Sequence, residues 1–512
     1  MVLIAGASFL VLGLPPAWLG AQVASQTRGS AVDAGGYRAP GVDDGVAVGE
    51  AGTLPVSPGV LIRFAGLDEL TAGGVVPPSP SVAKGVSRVI QAANSALRLS
   101  TVTGAPLQTK TLRAFFGAPD RGAVLDPQVL FDQNEADRRF YIAALQHRGT
   151  TEASGTSLIH LAVSRSPEPP DLEPDHWCRY AIDAKRDGGT ALASRAGDLT
   201  LTVGSARLVL TTDQYRFATN AFTFAVIRVL DKVALSRNTG ACPSLPGTVV
   251  FQPAAAPGDR SFFALQPVQS PGPWAADLRD PVYFVNTGFT GTSSDDRYRV
   301  SRIWDTPPTF RSLVLRGARR YASPPDSPQP RSAVRLDTGD ARIRQAAGGR
   351  ATAEAITVTY LTAVHATRCH VGAASPTACV MWVRVEVTPI AAAFARIDQQ
   401  LMLGGGPGIF DSFPGVAEGA DGVSVVAFQR SGPGRFLHGL VMVKPFSAEA
   451  FGPAVLPATP TGQCALAAPR AMGDAITVRR DPVRLQYWVS TVRAISVAGR
   501  CVWETAVVNL RP

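Results

Sequence analysis

At 512 residues, with 46 % hydrophobic and only 17 % charged side chains, the chain can bury a large core, which excludes wholesale disorder. Its 49 glycines and 41 prolines exceed what a helical protein tolerates and follow no Gly-X-Y period, so many short strands joined by turns are expected. The net charge of +9 comes mainly from arginines scattered without a basic run, which argues against a nucleic-acid partner.

The chain opens on an apolar stretch, Met1 to Leu14, followed by Pro15, Pro16 and small residues around Ala21 and Ala24. That is the pattern of a signal peptide over 1–24, too short for a comfortable membrane span. Its start lacks the usual positive charge, so a retained anchor stays open beside a cleaved leader. Residues 25–57 are rich in Gly, Ala, Asp and Val without a period and read as a flexible leader. A β-propeller is expected over 58–512. The protein is thus expected to be secreted, periplasmic or held at the cell surface, with no membrane contact beyond the signal segment.

From Gly59 onward one arrangement recurs. Its clearest copy runs Gln128–Asp132, Arg139–Leu145, Ser157–Ser164 and Trp177–Asp183, four short runs bounded by turn residues, as in an antiparallel meander. An earlier, less clear copy spans Arg88–Ala92, Ala96–Thr101 and Leu107–Phe116. Later copies begin near Leu199, Phe262, Ala341, Phe413 and Ala475, and a helical turn is expected at Asp231–Leu235. The units start at intervals of roughly 60–75 residues, against ~40–50 for common propeller repeats. The expected fold is all-β: a single propeller of about seven four-stranded blades, with six or eight possible. Val60–Phe64 and Thr505–Leu510 are expected to pair and close the ring, which would leave no edge strand.

The six cysteines, Cys178, Cys242, Cys369, Cys379, Cys464 and Cys501, form no Cys-x-x-Cys and have no zinc-finger histidine. An even count in an exported chain suggests disulfides. Fifteen pairings are possible, and the sequential one is preferred because Cys369–Cys379 would tie the base of a hairpin.

Several stretches resemble a group of poorly characterised secreted bacterial β-propeller proteins with sialidase-like or WD40-like architecture. They are Asp126–Asp132, Arg139–Leu145 and Leu161–Ser166; then Ser332–Ile343 and Cys379–Arg384; and finally Gly473–Pro482. The resemblance implies a fold and a compartment but no reaction. Where that group carries PPDTNGAVG, this chain has Pro77–Gly85 without the Asp and Asn, so a cation site there would be lost.

An enzyme on this fold would gather carboxylates, arginines or tyrosines from several units at one mouth of the central channel. Candidate carboxylates are Asp126, Asp198, Asp337, Asp340, Asp411 and Asp474, all near unit starts, where turns and hydrogen bonds between units also explain them. The histidines, His147, His160, His176, His365, His370 and His438, show no metal-binding spacing, and His160 inside an apolar strand reads as a core residue. Gly404–Gly408 lacks the Lys-Ser/Thr of a phosphate loop. No cofactor is expected; Thr292–Asp296 is a weak calcium candidate. The preferred function is a non-enzymatic, monomeric scaffold binding a protein or glycan through its loops. The alternative is a glycan-active hydrolase or lyase with a site shared between blades.

Overall fold

The computed structural model describes residues 57–512 apart from 120–121, 135–137, 188–189, 192, 237–240, 255–256, 270–280, 288–293, 305–307, 354–355, 370–375, 388–393, 420–421, 457–462 and 466–475. The expected signal peptide and all but the last residue of the expected leader lie outside the described residues.

Burial along each strand follows from its place in a sheet. In the sheet Val124–Phe131, Phe140–Arg148, Thr156–Ser164 and Trp177–Asp183, the middle strands are nearly unbroken buried runs. Both faces are covered, so the usual alternation disappears. Phe140, Ile142 and Ala144 pack with Ile90, Leu97 and Leu99 of the preceding sheet. Tyr141, Ala143 and Leu145 pack with Leu201, Leu208 and Leu210 of the following one. The outer strand Thr309–Tyr321 alternates instead while carrying Arg311, Arg316, Arg319 and Arg320, charges that discourage pairing with another chain.

Three further sheets have four strands: Ser81–Lys84 to Pro106–Thr111, Ser194–Val203 to Val249–Phe251, and Thr477–Arg480, Tyr487–Val497 and Arg500–Arg511 with Gly59–Asp68. A fifth sheet has three strands, Phe410–Glu418, Ser424–Gly432 and Arg435–Lys444. The rest of the main framework is one eight-stranded sheet. It consists of two antiparallel meanders, Gln266–Gln269 to Thr309–Tyr321 and Ile343–Ala353 to Ala395–Leu403. They are fused where Val268 and Gln269 pair in parallel with Ala346 and Ala347. Its two outermost strands meet again at Gln400, which accepts from Arg319 N at 2.8 Å and donates to Arg319 O at 3.2 Å.

The expected single ring of about seven separate four-stranded blades, or six or eight, is therefore corrected. Among the described residues there are five blade-like propeller sheets and one eight-stranded sheet curled until its ends touch. Gln266–Gln269 is only four residues long and uses one edge for Val282–Thr287; its other edge is satisfied by Ile343–Ala353. A pattern read within units carries no sign of a ladder between them. A second departure lies at Leu107–Phe116, where the strand stops at Thr111. The Thr111 hydroxyl accepts from Ala114 N at 3.2 Å, and Gly117 ends the helix Leu112–Phe116 in the left-handed region.

The first and last strands of the described residues lie in one sheet: Gly59–Asp68 runs antiparallel to Arg500–Arg511, with Val60 opposite Leu510 and Phe64 opposite Val507. The cysteines form Cys178–Cys242, Cys369–Cys379 and Cys464–Cys501. Among the described residues no helix is long and apolar enough to cross a membrane.

A polar chain crosses the core of the eight-stranded sheet. Gln400 Nε2 donates to the Tyr298 hydroxyl at 3.1 Å, which lies 3.1 Å from His365 Nε2, while His365 Nδ1 lies 3.1 Å from the Ala366 carbonyl. A carbonyl can only accept, so Nδ1 carries the proton and Nε2 accepts from Tyr298. His365 is fully buried, and burial pushes it down to about 4. A depressed histidine contributes stability above its unfolded value near 6.5 that is lost as pH falls through about 4. His365 alone is expected to remove on the order of 2–3 kcal/mol across that window. Urea midpoints measured from pH 7 to 4 should therefore fall, and H365Q should flatten the fall. An unchanged slope in H365Q would contradict this role.

Candidate active site

The first strand of each blade-like sheet and of each meander lines a common central space. At the ends of these strands is a cavity of about 760 Å³, including its open mouth. Lys84, Asp132 and Glu418 in its lining are already bonded. Lys84 Nζ donates to Asp481 Oδ1 at 2.9 Å and Lys232 Nζ to Asp132 Oδ2 at 2.6 Å, all four side chains being buried. Glu418 accepts from Tyr360 at 3.0 Å and Thr362 at 2.7 Å, and burial pushes it up to about 7.

The opposite cavity, of about 870 Å³ with its mouth, is different. It lies where the first strands begin, and the backbone there is kinked. Ser79, Asp126, Asp198, Ala264 and Phe413 have φ of 41°, 53°, 49°, 52° and 47°. The register of the strands slips at Leu125/Gln128, Gly197/Thr200 and Ser412/Gly415, which marks β-bulges that re-aim side chains. Left-handed backbone is costly for most residues but tolerated by Asp, whose short side chain can bond locally. Asp126 and Asp198 thereby come to line the same cavity from adjacent sheets, and Arg342, Arg344 and Arg479 line it from two others.

Arg342 organises the group. Its Nη1 donates to Asp198 Oδ1 at 2.8 Å, its Nε to Asp340 Oδ1 at 2.8 Å, and its Nη2 lies 2.8 Å from Asp340 Oδ2. The guanidinium also stacks on Phe263, 4.7 Å from the ring centre. Burial opposes its charge, but Asp198 and Asp340 outweigh that and hold it well above its usual value. Burial would likewise raise Asp340; Arg342 and Arg344 reverse this and hold it far below the carboxylate range. The Tyr215 hydroxyl donates to the other oxygen of Asp198. Behind it, buried Asp213 accepts from Ala264 N at 3.0 Å, and burial followed by the charge of Asp198 pushes it well above the carboxylate range. Burial, with Asp198 and Asp213, also pushes Tyr215 up.

The other candidates are elsewhere. Asp411 is fully buried and gripped by Arg430 at 2.7 and 2.8 Å. Asp337 caps a turn by accepting from Gly339 N at 2.7 Å. Asp474 and His370 lie outside the described residues. His160 is buried against Phe116, 2.9 Å from Gln146 Oε1. His176 is exposed, 3.6 Å from Asp171, and His438 Nδ1 faces the Phe436 carbonyl at 2.8 Å. His147 is held down to about 4 by burial and then by Arg195. Of the calcium candidate, Asp295 and Asp296 are described and are bound by Arg297 and Arg316. No group of three or more His, Cys, Asp or Glu suited to a metal occurs among the described residues. Gly406 and Gly408 have positive φ within a loop.

Arg342, Tyr215, Asp213, Arg344 and Arg479 were not apparent as site residues in the sequence. One local signal exists: Asp340-Ala-Arg342 and Asp295-Asp-Arg297 share an arrangement in which the carboxylate accepts from the backbone N and Nε of the arginine two residues on.

The chain is similar to solved glycosidase structures. The α-L-arabinofuranosidase Arb93A of Fusarium graminearum matches at 10 % identity and a TM-score of 0.38, over 89 % of this chain and 98 % of that one. The α-L-arabinanase of Penicillium chrysogenum matches at 10 % and 0.34, over 75 % and 92 %. A Trypanosoma rangeli sialidase matches at 12 % and 0.34, over 76 % and 58 %. These structures are not confined to bacteria. No family model matches the sequence, and no curated protein matches it either. At such scores the function has to come from the chain's own residues. Those residues overturn the preference for a non-enzymatic scaffold, because two carboxylates and three arginines from four first strands converge on one mouth.

Proposed function

We propose that this chain is a glycan-active hydrolase working at the mouth where the first strands begin. The observation that carries this reading is the carboxyl pair Asp126 and Asp198, set on adjacent sheets and lining one cavity. Glycoside hydrolysis commonly uses two carboxyl groups flanking the scissile bond, one as acid and one as base or nucleophile. Asp198 is oriented by Arg342 and Tyr215, which suits it to the second role; Asp126 faces the cavity as its partner. Export to an oxidising compartment is part of the proposal and is supported by the three disulfides.

A panel of glycoside substrates and a glycan array, applied to the purified chain, tests it. D198N and D126N should each lower turnover by about 10²–10⁴-fold. Asn tolerates the same left-handed backbone, so both variants should keep the wild-type melting temperature within a few degrees. Turnover unchanged in both would remove the assignment.

A further inference from the structure

Arg479 is the one arginine of this mouth whose side chain has no hydrogen-bond or ion-pair partner among the described residues. It sits on the first strand Thr477–Arg480, and both it and Gln269 line the mouth cavity and the opposite cavity, which places them between the two. Its Nε and Nη1 are sealed from solvent and unbonded. Several polar groups lining the same cavity are already committed. Gln269 Nε2 donates to Leu201 O at 2.8 Å and Gln345 Nε2 to Val478 O at 2.8 Å. Arg342 and Arg344 are taken by Asp340.

A guanidinium stays charged at any physiological pH, and shielding its Nε and Nη1 from water without a counter-charge is unfavourable. Burial alone pushes Arg479 down to about 10, and no neighbouring carboxylate raises it again. A native structure that keeps such a group in a channel is matched to an anion that arrives from outside. One uncompensated positive charge calls for one negative charge, and the planar fork of donors matches a carboxylate.

We propose that Arg479 is the seat for a carboxylate, presented by an acidic sugar of the uronic-acid class entering from the mouth. The carboxylate seat stands on Arg479 alone; that the carboxylate is carried by a sugar rests on the glycan reading above.

Thermal unfolding of the full chain at constant ionic strength separates the two. Glucuronate, acetate and glucose are titrated in parallel. Glucuronate is expected to raise the melting temperature saturably, by roughly 2 °C at ten times its dissociation constant. Acetate should do so at higher concentration and glucose not at all. The shift should vanish in R479Q and persist in R316Q, which alters a surface ion pair. Acetate matching glucuronate supports the seat and assigns it to a free carboxylate. An equal shift in wild type and R479Q overturns the seat, as does no shift in wild type. Should R479Q not fold, calorimetric titration of glucuronate into wild type decides: one saturable site supports the seat, and its absence overturns it. Loss of turnover in D198N is read separately, so either reading can fail without the other.

Discussion

Replacing Arg342 with methionine is expected to lower stability by about 2–4 kcal/mol, because it leaves two half-buried carboxylates and the buried Asp213 without the cation that offsets them. Arg342 is only 9 % exposed and every nitrogen of its head group is used, two on Asp340 and one on Asp198. Asp213 lies behind Asp198 and is held well above the carboxylate range partly by that charge, with Arg342 acting against the shift. Without the arginine, the half-buried Asp198 and Asp340 repel each other and the buried Asp213. Lysine should rescue little, since a point charge cannot reproduce the fork that bridges two carboxylates. The pH dependence gives the cause a signature. Asp340 is depressed in the folded state, so its contribution is present above its unfolded value near 4 and lost on acidification. The R342M deficit should therefore be largest above about pH 4 and shrink below it. R342M/D340N should regain part of the loss. R316M, which breaks an exposed pair with Asp296, should cost no more than about 1 kcal/mol. Urea denaturation at pH 7 and at about pH 2 measures all four; a deficit equal at both pH values would argue for lost packing on Phe263 instead of lost charge compensation.

The strands were legible because β-branched and aromatic runs bounded by Gly, Pro and Asn persist whatever the tertiary context. Trp177–Asp183 was read with its observed bounds, and Gln128–Asp132 within one residue at its end. The grouping of strands was not legible. The parallel pairing of Val268 with Ala346 joins residues far apart in the sequence through backbone atoms, which no side-chain pattern records. The site divides the same way. Asp126 and Asp198 stood out at unit starts and were explained as turn residues, which is half of their role: their positive φ kinks the strand, and the kink aims them at the cavity. Asp411 looked equivalent from its position, yet Arg430 from the adjacent strand covers it. Arg342 lies 144 residues from Asp198, and only the closing of the sheets around one axis brings them together. Tyr215 was hidden for another reason: in sequence it is one more aromatic of a strand, and only its partner Asp198 makes it polar machinery.

Deleting residues 503–512 is expected to abolish the native fold, leaving an insoluble or molten chain. The strand Arg500–Arg511 is internal to its sheet, with Tyr487–Val497 on one side and Gly59–Asp68 on the other. The cut removes Trp503, Val507, Val508 and Leu510, all at most 1 % exposed. Each such side chain contributes about 1.5–3 kcal/mol when fully buried, so four of them rival the 5–15 kcal/mol that typically holds a domain together. The damage also spreads. Val508 and Leu510 pack with Val425, Val441 and Val443 of the three-stranded sheet, while Val507 packs with Val82 and Val89 on the other side. Thr505 donates to Leu67 O at 2.7 Å and accepts from Gln91 Nε2 at 2.9 Å, which ties a third sheet strand into the same place. The neighbouring strand Gly59–Asp68 offers the contrast. It is an edge strand, and its Val60 and Leu61 are 37 % and 48 % exposed. Deleting residues up to 62 should therefore leave a folded protein with a lower melting temperature and an intact sheet core. Near-ultraviolet circular dichroism distinguishes the two deletions, since the buried Trp177, Trp382 and Trp488 remain in both chains and keep their signal only where the fold survives. A C-terminal deletion that kept a sharp unfolding transition would show that the remaining sheets hold together without it.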